Sequence, residues 1–210
     1  MDAIEIVRAF YSPVGRIRML AGAPALDFAN TLHWRDGELL DFIPTYRALV
    51  EFCGPARIMS EDEIRKVLRL SNEYPQRATN LHLAALALRD ALKEWLIASA
   101  ANLPRKRVPK KAMEAAIAKA GGNLNLGDLM ALPDDAAMAL QMPLLRIAAT
   151  IASLMLFPPE GDIRHCEADA CGGFFINTSR SKPRRWCAMD SCGNRMKAQR
   201  FRKAHAEDAI

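Results

Sequence analysis

Four of the five cysteines in this 210-residue chain stand as two pairs near its carboxyl end, Cys166 with Cys171 and Cys187 with Cys192. The pattern reads C-x4-C, fifteen residues, then C-x4-C. Thiolates are soft donors, and two close pairs separated by a hairpin-sized insert can converge on one tetrahedral zinc ion. Catalytic zinc keeps an open position and recruits histidine or carboxylate, whereas four thiolates close the sphere. One structural zinc is therefore the expected cofactor. Disulfides are the alternative for paired cysteines. The start "MDAIEIVRAF" lacks the basic and apolar regions of a secretory signal, so a cytoplasmic, reducing setting is expected and weighs against them. The fifth, Cys53, follows the apolar "LVEF" and reads as a small buried hydrophobe.

Positive charge crowds around the same cysteines. Residues 1–161 hold 19 Lys and Arg against 18 Asp and Glu, a balance of +1, while residues 162–205 hold 10 against 4, a balance of +6. Such asymmetry calls for an anionic partner. Nine cations lie between Arg180 and Lys203. That exceeds what the formal −2 of a zinc tetrathiolate would need for neutralisation. Arg180, Arg184 and Arg185 fall between the cysteine pairs, and Arg195, Lys197, Arg200, Arg202 and Lys203 follow the last cysteine. These eight are the candidate nucleic-acid contacts. Arginine predominates, as forked hydrogen bonding to phosphate or guanine would favour. The aromatic residues nearby look committed to a small core, so duplex DNA is expected rather than single strands or RNA.

Several elements must position these groups. After the first pair, "FFINT" is rich in strand formers, "SRSKP" reads as a turn, and "RRWC" is expected to return as the second strand. Phe174 and Ile176 share one face of such a strand, Phe175 and Asn177 the other. Asp190 or Ser191 then caps a helix whose first turn holds Cys192. Projected at 100° per residue, Arg195, Gln199, Arg202 and Lys203 form a basic face, leaving Ala198, Phe201 and Ala204 to pack on the hairpin. Knuckle, hairpin and helix with a ligand at its start compose a treble-clef zinc finger over 162–210. A module of this size needs its metal, because it cannot bury enough apolar surface alone.

The residues before it, 1–157, read as mainly helical (an α+β chain overall, with a small β-hairpin). Ser60 and Glu63 form a capping box, "NLHLAALALRDALKEWLIASAAN" carries a wide apolar face, and "KKAMEAAIAKA" is a short helix stopped by glycines. Asp134 or Asp135 caps a helix running through "PLLRIAATIASLMLF", with Pro143 marking a break or restart. The apolar run 147–157 is too short to span a membrane and reads as a core helix. "GRIRMLAG" and the stretch around "GELLDF" are expected to pair as strands. "FPPEGD" is the expected linker, and the helical part is expected to fold without the finger.

These residues carry two family resemblances. "CEADACGGFFINTSRSKPRRWCAMDSCGNR" resembles the CGNR zinc finger, named for the tetrapeptide at 192–195. That resemblance implies zinc ligation by Cys166, Cys171, Cys187 and Cys192, and nucleic-acid binding. "ALDFANTLHWRDGELLDFIPTYRALVEFC" is similar to the ABATE domain, which precedes a CGNR finger in bacterial proteins described as putative stress-induced transcription regulators. The implied function is a DNA-binding regulator whose helical domain senses a small-molecule ligand, a partner or its own dimerisation. A protein-interaction module and an RNA-binding protein remain the alternatives. Asp27, Asn30 and Thr31, sharing a face amid apolar neighbours, are candidate ligand-binding residues, although such groups also serve as caps. There is no glycine-rich phosphate loop, paired-carboxylate signature or serine elbow, so an enzyme is not expected.

Overall fold

A computed structural model of the chain describes residues 19–35, 38–104, 110–121, 131–169, 171–179 and 181–207. The described elements run α1 (Pro24–Ala29), β1 (Leu32–Arg35), β2 (Glu38–Asp41), α2 (Tyr46–Phe52), α3 (Glu61–Glu73), α4 (Pro75–Ser99), α5 (Lys110–Gly121), α6 (Ala136–Leu156), β3 (Asp162–His165), β4 (Phe174–Asn177) and α7 (Asn194–Glu207). A π-turn, Met189–Gly193, leads into α7. The described residues are mainly α with two small antiparallel hairpins.

Local chemistry sets the helix ends. Ser60 Oγ accepts from the Glu63 N–H at 3.3 Å while the Glu63 carboxylate accepts from the Ser60 N–H at 2.8 Å, the expected capping box of α3. Asp135 accepts from the Met138 N–H at 2.8 Å and caps α6. Pro143 neither breaks nor restarts α6, which runs unbroken from Ala136 to Leu156. The proline removes one ladder hydrogen bond, but it is buried together with Met142, Leu144, Leu145 and Ile147, so packing keeps the helix continuous through it. By length and composition α6 could cross a membrane, yet 56% of its apolar window is buried inside the fold. It is the central core helix. Leu88, Leu92 and Leu96 of α4, Leu140 and Ile151 of α6, Phe28 of α1 and Phe52 of α2 close around it.

Among the described residues, one cation lies inside this core. Arg89 is 3% exposed, pairs with both carboxylate oxygens of Asp41 at 2.8 Å and donates to Thr31 Oγ1 at 3.0 Å. It ties the end of β2 to α4. Removing one partner of a buried pair strands the other, at about 3 kcal/mol. Arg89→Met should therefore lower the denaturant midpoint by that equivalent, and Arg89→Lys should restore only part, since an ammonium cannot fork. An unchanged midpoint would mean that water replaces the guanidinium.

Both expected strand pairings are revised. The partner of β2 is β1, in the register Leu32 with Asp41 through Arg35 with Glu38. Within "GRIRMLAG", residues 15–18 lie outside the described residues, and Met19–Gly22 is not a strand. In the finger, β4 pairs with β3, Asp162 opposite Asn177 through His165 opposite Phe174, and "RRWC" forms no strand. The hairpin thus encloses the first cysteine pair in its own turn instead of reaching forward to the second.

Strand alternation then divides β4 between two cores. Phe174 and Ile176 enter the helical core, and Phe175 packs with the cysteines. Two asparagines fasten this hairpin to the helical part. Asn30 Nδ2 donates to the Phe174 carbonyl and its Oδ1 accepts from the Phe174 N–H, both at 2.8 Å. Asn102 makes the same double contact with His165, again at 2.8 Å. The strand edges are covered as well: the Ile176 N–H donates to Ala21 O and the Ala101 N–H to Ile163 O, each at 2.9 Å. The core therefore continues beyond Phe157 into the finger.

Candidate metal centre and basic helix

Cys166 follows β3, Cys171 precedes β4, Cys187 ends the "RRW" segment, and Cys192 sits in the π-turn ahead of α7. All four Sγ atoms lie within 4.8 Å of one another. Cys171 and Cys187 are 3.9 Å apart, Cys187 and Cys192 3.6 Å. A regular tetrahedron with zinc–sulfur bonds of about 2.3 Å has edges of about 3.8 Å, so the donor set fits zinc. Cys187 is half-buried and the other three are buried. The Cys187 N–H points at Cys166 Sγ at 3.4 Å, and Arg195 Nη2 at Cys192 Sγ at 3.5 Å, both offsetting thiolate charge.

Two glycines shape this site. Gly172 adopts φ +69° inside the first knuckle, a conformation that side chains resist. A Cβ on Gly193 would meet the Trp186 ring at 3.3 Å and, unless that exposed side chain swung away, Met189 Sδ at 2.4 Å, so glycine lets the turn close tightly on the ring. Trp186 and Met196 are half-buried against the cysteines, completing the small core.

Four sulfurs this close titrate as a group. Hydrogen bonds from Cys171, Cys187 and Cys192 hold Cys166 far below the ordinary thiol range. Cys187 is pushed far above it by the same contacts, with Cys166 foremost. Without metal the group keeps protons that a divalent cation would displace, so metal binding releases protons.

The candidate ligand residues are engaged within the fold. Asp27 Oδ1 accepts from the Ala21 N–H at 3.1 Å, Thr31 donates to Phe28 O at 2.7 Å, and Asn30 holds Phe174. Burial pushes the Asp27 carboxyl up to about 6, against hydrogen bonds from Ala21 and Leu20 that pull it down. A carboxyl with a raised folded pKa favours folding below its unfolded value near 3.9, and that advantage is lost as pH rises through about 6. Asp27→Asn should therefore gain stability relative to the parent between pH 4.5 and 7.5, by about 1–2 kcal/mol. Melts at the two pH values check this. A difference that does not grow with pH would contradict it.

The basic residues separate into two groups. Arg184 donates to Ile176 O at 2.7 Å and lies over the Phe175 ring at 4.8 Å. Arg185 pairs with Glu167 at 2.6 Å, and Arg195 meets Cys192 as above. These three hold the module together. Arg180 lies outside the described residues. Lys197, Arg200, Arg202 and Lys203 are exposed on α7.

The helix is also turned relative to its expected projection. Arg195, Met196 and Gln199 are half-buried toward the finger, whereas Ala198, Phe201 and Ala204 are exposed. The hairpin offers them no surface because β4 is already covered by β3 and the helical part. The sequence reading also missed Asn102, which has no signal beyond its place after the end of α4. A recess of about 90 Å³ opens between the two parts, lined by His33, Trp34 and Phe42 on one side and by Cys187, Cys192 and Arg195 on the other.

Comparison with known proteins finds two family models. Residues 22–156 match ABATE, described as "Putative stress-induced transcription regulator", and residues 163–205 match the CGNR zinc finger. No curated protein and no solved structure matches the chain.

Proposed function

The chain belongs to the ABATE family, whose model matches residues 22–156, and from that premise we propose that it is a zinc-dependent, duplex-DNA-binding transcription regulator. One structural zinc per chain is held by Cys166, Cys171, Cys187 and Cys192 in a treble-clef arrangement. Residues 162–210 bind nucleic acid in the cytoplasm, and residues 1–157 receive a signal from a small ligand, a partner or a second copy. Neither matched family is an enzyme family.

The observation that carries this reading is α7. Lys197, Arg200, Arg202 and Lys203 project from a metal-anchored turn, and no acid follows Asp190 until Glu207. A cationic helix fixed at one end matches the width of a DNA major groove. The recess beside Cys192 and Arg195 supports the signalling half, since an occupant would touch the helical part and the base of α7 together.

Binding of the zinc-loaded full chain to duplex DNA, single-stranded RNA and polyglutamate should be compared at about 100 mM salt. Duplex DNA should bind most tightly. Preference for RNA would make the protein an RNA binder. Preference for polyglutamate would favour docking on an acidic protein surface.

A further inference from the structure

Phe201 is 66% exposed on a helix where Lys197, Arg200 and Arg202 stand around it. Among the described elements, α7 packs substantially only against the turn that precedes it. Its inward side is marked by the half-buried Arg195, Met196 and Gln199. At 100° per residue the opposite side is centred on Lys197 and Phe201, flanked by Ala204 and His205, with Arg200 and Arg202 about 100° to either side of the phenyl ring. Lys197, Phe201 and His205 follow at intervals of four and so form one ridge along the free side. The His205 ring meets Phe201 edge-on, with centroids 4.1 Å apart and planes at 72°, which props the phenyl ring in place. The free side of this cationic helix therefore presents an apolar, aromatic group next to Lys197.

The geometry points to Phe201 as the base-reading contact of α7, set against thymine methyl groups in the major groove while Lys197, Arg200 and Arg202 hold the phosphates beside it. This rests on the nucleic-acid reading above and adds to it a residue and a base. Cations on both sides of the ring fit a polyanion, and an exposed phenyl gains nothing from phosphate. What the major groove offers an apolar side chain is the C5 methyl of thymine. Single-strand binders instead set their aromatics along a backbone-tracking groove. Here the ring stands on the convex edge of a free helix about 20 Å long, a shape that enters a groove.

The test uses the zinc-loaded full chain and two duplexes of alternating A and T, identical except that deoxyuridine replaces every thymidine in one. The exchange deletes only the methyl. The parent protein should bind the thymine duplex about fourfold more tightly, the worth of one buried methyl. Phe201→Ala should abolish the difference and Phe201→Leu should keep part of it, with zinc content and melting unchanged in both. Equal binding of the two duplexes by the parent, or a difference that survives Phe201→Ala, overturns the inference and leaves DNA binding standing. Tighter binding to single strands that Phe201→Ala weakens overturns the groove contact in favour of stacking. If the parent binds neither duplex at low salt, the nucleic-acid reading itself fails, and this inference with it.

Discussion

Chelating the metal is expected to lower the melting temperature of the helical part together with that of the finger. Structural zinc in small fingers is worth about 10–16 kcal/mol of folding free energy. Here that energy is not confined to the finger. Phe174 and Ile176 belong to the helical core, and Asn30 and Asn102 each hold a finger backbone unit through two hydrogen bonds of 2.8 Å. Releasing the four sulfurs frees the hairpin turn, and the strand that fills the helical core loses its anchor. For a chain of this size each kcal/mol is worth about 2–4 °C. A drop of about 10 °C or more in the helical circular-dichroism melt should follow chelation, and Cys192→Ser should lose the metal and show the same drop. Cys53→Ala should keep it, since Cys53 is buried elsewhere, in the helical core. A helical melt unmoved by complete metal loss would show that the helical part folds alone, as its sequence suggested.

The second large effect concerns affinity. Lys197, Arg200 and Lys203 are exposed on α7. If each neutralises one phosphate, the electrostatic part of binding scales with salt to a power near −0.9 per contact. At 0.1 M salt, replacing all three with alanine should weaken duplex binding by about 100- to 500-fold, leaving zinc content intact. Arg184→Ala should behave differently. Its guanidinium holds the Ile176 carbonyl and covers Phe175, so stability should fall before affinity does. Equal losses of affinity from the two variants, without destabilisation by Arg184→Ala, would erase the division between structural and contacting arginines.

Much of the site was legible because its chemistry is local. The cysteine spacing, the Ser60–Glu63 box, the cap at Asp135 and the long apolar helices each depend on residues a few positions apart. The misread features are decided by distant partners. A four-residue strand such as Phe174–Asn177 can pair with whatever lies on either side. Here Asp162–His165 reaches it first, aided by Asn102 from the helical part. The polar character of Asn30 and Thr31 was visible, but their partners Phe174 and Arg89 are 144 and 58 residues away. The rotation of α7 follows from Met196 packing against the cysteine cluster, a contact that no helical projection contains.

The most direct measurement is a salt titration of duplex-DNA binding by the zinc-loaded full chain, with the metal-free Cys192→Ser variant run alongside. With three or four phosphate contacts from Lys197, Arg200, Arg202 and Lys203, log affinity should fall against log salt with a slope near −3. The metal-free variant should bind more weakly and with a shallower slope, because its helix is no longer held in place. A zinc-loaded chain that binds duplex DNA no better than the metal-free variant at about 50 mM salt would contradict a metal-positioned DNA-binding helix.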